Sequence, residues 1–149
     1  MLNAVDALLA DHKMINKLLG QLHRENNRLG IVSQTISRVV KAHAWFEDNV
    51  FFPAFEGKEL LDEKFVGELT AEHKDIEHLL GLLGKTPIGE KELWESRNLQ
   101  FKTLMKSHFL KEEEAIFPLA AQILPQTELH RLGEEMQRRQ AEVSRSLEG

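Results

Sequence analysis

The chain of 149 residues contains no cysteine. That excludes disulfides, thiolate ligands and iron–sulfur chemistry, leaving imidazole and carboxylate as the strong metal ligands on hand. It has no surplus of positive charge either. A net charge of -5 and a pI near 5.8 give no basic field for phosphates, so no nucleic-acid binding is expected. No run approaches the roughly 18 apolar residues of a membrane span. The N-terminal MLNAVDALLADHK lacks the basic, apolar and small-residue parts of an export signal, so a cytoplasmic location without membrane association is expected. Strand periodicity, a glycine-rich phosphate loop and a recognisable nucleophile–base pair are all missing.

What is present is ordinary in composition and unusual in pattern. Hydrophobic residues at 42% and charged residues at 29% suit one self-sufficient globular domain over 1–149. The chain repeats itself. DHKMINKLLGQL (Asp11 to Leu22) returns as EHKDIEHLLGLL (Glu72 to Leu83), identical at seven of twelve positions, with His12 matched to His73. HAWFEDNVFFP (His43 to Pro53) returns as HFLKEEEAIFP (His108 to Pro118), keeping His, a Glu four residues on, and a final Phe-Pro. The two pairs are offset by 61 and 65 residues, so the halves differ in a loop and hardly at all in their helices.

Apolar residues recur at helical spacing through Val5, Leu8, His12, Ile15, Leu19 and Leu22, and through Leu69, His73, Ile76, Leu80 and Leu83. Two further stripes carry His43 with Glu47 and His108 with Glu112. Residues four apart on a helix are separated by only about 40°, so each His–Glu pair faces one way. The spacing predicts helices over about 3–26, 31–53, 61–84 and 90–117, and a fifth, capped by Thr127, over about 126–147. Short links make neighbours antiparallel, giving an all-α, up-down-up-down four-helix bundle (about 3–120) with an additional C-terminal helix. That last helix is expected to pack along the bundle, with a homodimer contact as the alternative, and Trp45 is expected to meet it or a partner chain.

A carboxylate on a core-facing stripe is costly to desolvate unless compensated. Glu47 and Glu112 therefore call for cations. Each histidine taken singly reads better as a core residue than as a ligand; matched register in both halves is what points to ligation. His12, His43, Glu47, His73, His108 and Glu112 are the predicted metal ligands, suited to iron, manganese or zinc. On two octahedral ions, four histidines and two bridging glutamates leave positions for a bridging oxide or hydroxide and a small ligand. Asp48 and Glu113 fall about 140° round the helix from their histidines and are expected to be solvated, Glu113 standing second to Glu112. Lys111 and Glu114 read as surface charges, His23, His78 and His130 as non-ligands, and the two Phe-Pro pairs as helix stops.

These residues resemble the hemerythrin-like family of HHE cation-binding domains, over about residues 8–120. The resemblance implies a di-iron centre in which the two glutamates bridge the irons and the four histidines cap them. It implies functions in binding dioxygen, in sensing oxygen, nitric oxide or iron redox state, or in iron-centre repair. Oxygen-carrying members have a further histidine four residues after the third-helix ligand, where this chain has Glu77. Glu77 is thus an additional candidate metal ligand, and a carboxylate there would favour ferric iron over reversible oxygen carriage. The resulting expectation is a non-enzymatic di-iron protein handling dioxygen, nitric oxide or iron redox state. The alternatives are a di-iron enzyme of peroxidase or oxidase type or of iron-centre repair, or a structural or interaction module holding zinc; zinc and manganese are the alternative metals.

Overall fold

The computed structural model describes residues 2–58 and 62–148. Helix α1 spans Ala4–Gly20, α2 Leu29–Phe46, α3 Glu63–Lys85, α4 Lys91–Lys111, α5 Phe117–Ile123 and α6 Gln126–Glu148. No strand occurs among the described residues, and no helix there is long and apolar enough to cross a membrane. The four long helices of the repeat form the bundle, and α6 lies against α1 and α2. Side chains start two of the helices: Asn3 accepts from the Asp6 N–H at 2.8 Å, and Asp62 accepts from that of Lys64 at 3.0 Å, satisfying amides that have no partner within the helix.

The expected boundaries hold except where the backbone finds a better acceptor or a wider turn. The first helix ends at Gly20 rather than near Asn26. Asn26 donates its side-chain amide to the Gln21 carbonyl at 2.7 Å and accepts from the Arg28 N–H at 2.9 Å, a local arrangement that competes with another helical turn. Nor do the Phe-Pro pairs stop their helices. A π turn, Glu47–Phe51, follows α2 and leads into a 3-10 turn, Phe52–Phe55; another, Glu112–Ile116, joins α4 to α5, so the chain stays helical to Ile123. In each π turn the glutamate carbonyl accepts from the residue five further on, Phe52 or Phe117. The proline then falls in the first turn of a new helical segment, where its missing N–H costs little. The expected C-terminal helix, α6, begins at Gln126, with the Pro125 carbonyl accepting from the Leu129 N–H at 3.0 Å, so Thr127 sits inside the first turn instead of capping it.

Two separate apolar cores result. One gathers Leu8, Phe46, Phe51, Phe55, Leu69, Ile116 and Phe117 with Leu129, Leu132, Met136 and Val143 of α6. The other gathers Ile15, Leu19, Ile36, Val40, Ile76, Leu80, Trp94, Phe101 and Met105. Each of the four helices of the repeat, α4 together with the turns that follow it, passes from one core to the other, and at the crossing it carries its histidine. The site is therefore a polar layer sealed above and below.

α6 is seated by close backbone approach. A Cβ on Gly133 would stand 2.5 Å from the Leu2 carbonyl oxygen and 2.8 Å from the Asn3 carbonyl carbon. Trp45 meets this helix too, with the Arg139 guanidinium 4.9 Å from its ring centre. Replacing Gly133 by Ala should destabilise the chain by about 1–3 kcal/mol through this overlap with backbone. Chemical denaturation checks it, and an unchanged midpoint would show that α6 is not held at this point.

Candidate metal centre

The four core-phase histidines and both core-phase glutamates converge between the two apolar cores. All six are buried, and Glu47 and Glu112 have 0% exposure. They fall into two groups, His12, His43, Glu47 and Glu112, and His73, His108, Glu47 and Glu112; within each group, one ligand atom per residue lies within 4.8 Å of all the others. Glu47 sets Oε1 2.9 Å from His73 Nε2 and Oε2 3.5 Å from His43 Nε2. Glu112 mirrors this, with Oε1 2.9 Å from His12 Nε2 and Oε2 3.3 Å from His108 Nε2. Each carboxylate thus offers one oxygen to each pair of imidazoles, as a bridge between two ions would.

The residues fit such ions on two further grounds. His73 Nε2 and His108 Nε2 are 3.1 Å apart, close to the roughly 3 Å edge of an octahedron with metal–nitrogen bonds of about 2.1 Å. His43 Nε2, Glu47 Oε2 and Glu112 Oε2 are buried without a hydrogen-bond partner. Each orphan atom costs about 1–3 kcal/mol; a cation on the His12–His43 side would satisfy the first two, and one on the His73–His108 side the third.

The outer nitrogens of the four imidazoles are held by carboxylates that sequence reasoning passed over. His43 Nδ1 donates to Asp11 at 2.9 Å, His73 Nδ1 to Asp48 at 3.0 Å, His108 Nδ1 to Glu72 at 2.8 Å and His12 Nδ1 to Glu113 at 3.0 Å. This fixes each ring with Nε2 inward and raises its strength as a ligand. Asp48 and Glu113, expected to be solvated, lie at the seams between helices, where they reach histidines of the opposite half. The ideal angle of an α-helix does not carry through the π turns that begin at Glu47 and Glu112. A signal was present: an acidic residue precedes the first histidine of each half, and another follows each core glutamate.

Two more expectations need correction. Glu77 is exposed and belongs to neither group. Between His73 and Leu80 the inward phase of α3 is taken by buried Ile76, which turns Glu77 towards the groove it lines with Lys41. Lys111 is more than a surface charge, since its ammonium bonds Glu72 Oε2, the other oxygen of the carboxylate that holds His108. Burial pushes Glu72 up, but the hydrogen bonds from Lys111 and His108 override it and hold the carboxyl below its ordinary value. Glu114 is exposed, as are His23 and His78; His130 is half-buried on α6.

Without a metal, the carboxylates draw protons onto the imidazoles. Burial disfavours the charged form of His73, yet Asp48 and Glu47 raise its pKa to about 9; His108 is likewise raised to about 10, by Glu112 and Glu47. Burial opposes the charged form of His43 as well, yet the charge of Glu47 and the hydrogen bond to Asp11 raise it well above its ordinary value. Burial alone would raise Glu47, but the charge on His43 and hydrogen bonds hold it well below the usual carboxylate range.

An all-helical bundle with four buried imidazoles in two groups that share Glu47 and Glu112 defines a protein able to hold metal ions. The family model described as the hemerythrin HHE cation binding domain matches residues 3–120, and the chain belongs to that family. It is similar to a solved hemerythrin HHE cation binding domain-containing protein from Mycobacterium kansasii. The two are 25% identical with a TM-score of 0.85, over 98% of this chain and 90% of that one. That coverage includes most of α6, which lies beyond the family model. No curated protein matches.

Two outcomes follow from the site. His73 and His108, raised above about 6.5 by folding, stabilise the metal-free chain below that pH, and the contribution is lost as pH rises towards about 9 and 10. Glu47, lowered by folding, stabilises it above about 4.5 and loses this as pH falls. Metal-free protein should therefore melt highest between about pH 4.5 and 6.5 and progressively lower to pH 10; a melting temperature that climbs over that upper range contradicts the charge assignment. Replacing Glu47 or Glu112 by Ala should abolish loading of both ions, as read by metal analysis. Full stoichiometry in either variant would remove that residue as a bridge.

Proposed function

We propose that this chain holds two iron ions and uses them to sense or handle dioxygen, nitric oxide or iron redox state in the cytoplasm. The observation that carries this reading is that both oxygens of Glu47 and both of Glu112 are divided between the two imidazole pairs. The donors are imidazole nitrogen and carboxylate oxygen, with no thiolate, which suits iron or manganese and also tetrahedral zinc. When bound, a pair of irons supplies one-electron redox chemistry and open coordination positions for a diatomic ligand.

The chain's own residues favour binding over turnover. His12, His43, His73 and His108 orient four nitrogens inward on fixed rings, and the bridging glutamates supply negative charge to be neutralised. Aromatic rings enclose the layer: Phe109 stacks on His12 with centres 3.7 Å apart, Phe117 lies 5.4 Å from the same ring, and Phe52 is parallel to His73. Such walls admit a small apolar diatomic more readily than a larger polar substrate.

Protein expressed in iron-supplemented medium should contain two irons per chain. Its near-ultraviolet and visible absorption should change when the reduced form meets air or nitric oxide. A spectrum indifferent to both gases would falsify the reading. Zinc at full occupancy would replace it by a structural role, and peroxide turnover well above that of free iron would replace it by an enzymatic one.

A further inference from the structure

The two clusters have the same ligands but different surroundings. Superposing the halves of the repeat pairs Asp11 with Glu72, Asp48 with Glu113, Leu9 with Thr70 and Phe46 with Lys111. The last two pairs break the symmetry, and both put the polar member on one side. Thr70 Oγ1 donates to Asp48 Oδ1 at 3.1 Å, and Asp48 holds His73; Lys111 bonds Glu72, and Glu72 holds His108. Glu72 is also the least exposed of the four outer carboxylates, at 16% against 28% to 43% for the others. The carboxylate that Lys111 bonds is thus the best shielded of the four, although the lysine itself is 40% exposed.

A carboxylate strengthens an imidazole ligand by drawing on its Nδ1–H. A further donor or cation on that carboxylate withdraws the same negative charge, whether it meets the other oxygen, as Lys111 does on Glu72, or one that the imidazole shares, as Thr70 does on Asp48. We infer that Lys111 and Thr70 are positioning residues that make the two metal positions unequal, weakening the hold of His73 and His108 on their ion relative to that of His12 and His43. The inference rests on the two-ion reading of the site. It makes the His73–His108 position the second to load and, with iron, the one that better tolerates the ferrous state.

Cobalt(II) tests this without requiring iron, because its visible bands report nitrogen and oxygen ligation directly. Metal-free protein titrated with cobalt(II) should take up two ions in two resolved steps. Lys111→Met should strengthen the weaker step by about tenfold, the lower end of what outer partners of metal-bound histidines contribute, and leave the stronger step within about twofold. Thr70→Val should act in the same direction, and Lys111→Arg should retain the wild-type isotherm. If Lys111 merely anchors Glu72, its loss would loosen His108 and weaken the second step instead. That sign, or no change in either variant, overturns the inference. Uptake of fewer than two cobalt ions by the wild-type chain would instead defeat the two-ion reading beneath it.

Discussion

Two carboxylates stand at the centre of a helical bundle with no exposure to water, and the rest of the molecule is arranged around that fact. Moving an unpaired carboxylate into such a place costs several kcal/mol even after relaxation. Four imidazoles face Glu47 and Glu112, and four outer carboxylates in turn face the imidazoles. Without metal, the layer is held by protons shared between bases and acids, which is why histidine pKa values rise in spite of burial. Metal would exchange those protons for cations. Three orphan ligand atoms mark where protons alone do not complete the layer.

Geometry for that layer comes from an irregularity in the helices. Glu47 and Glu112 begin π turns, and each turn delivers a Phe-Pro pair into the following segment. In an uninterrupted α-helix the proline ring would collide with the carbonyl four residues earlier. The wide turn relieves that collision, and in doing so it alters the angle at which Asp48 and Glu113 leave the backbone. One local feature of the sequence thus serves two ends: it permits the prolines and brings two outer carboxylates to histidines on other helices.

This explains what the sequence disclosed and what it withheld. His12, His43, Glu47, His73, His108 and Glu112 were legible because each lies on an apolar stripe where it has no business, and because the pattern occurs twice. Stripe phase is a property of one helix, so it says nothing of seams between helices. Asp11, Asp48, Glu72 and Glu113 work at seams, half-buried or exposed, and a solvent-facing phase conceals them. Lys111 is further removed still, recognisable only through Glu72. Glu77 erred the other way, since a position four residues from His73 shares its face only if no apolar side chain claims the inward direction, and Ile76 does. The early end of α1 turns on the Asn26 side chain, which no hydrophobic periodicity reports.

A duplicated half brings with it duplicated ligands, and for a pair of ions that is a restriction. Equal ligand sets would give two ions equal affinity and equal preference for oxidation state, whereas handling a diatomic ligand or a single electron benefits from a difference between them. Changing Glu47 or Glu112 would alter both metal positions at once, because each carboxylate faces both imidazole pairs. The outer layer is free of that constraint: each of its carboxylates acts on one imidazole. Leu9 against Thr70 and Phe46 against Lys111 are differences placed behind those carboxylates, two hydrogen bonds from the imidazoles, where the halves can diverge while Glu47, Glu112 and the four histidines are kept.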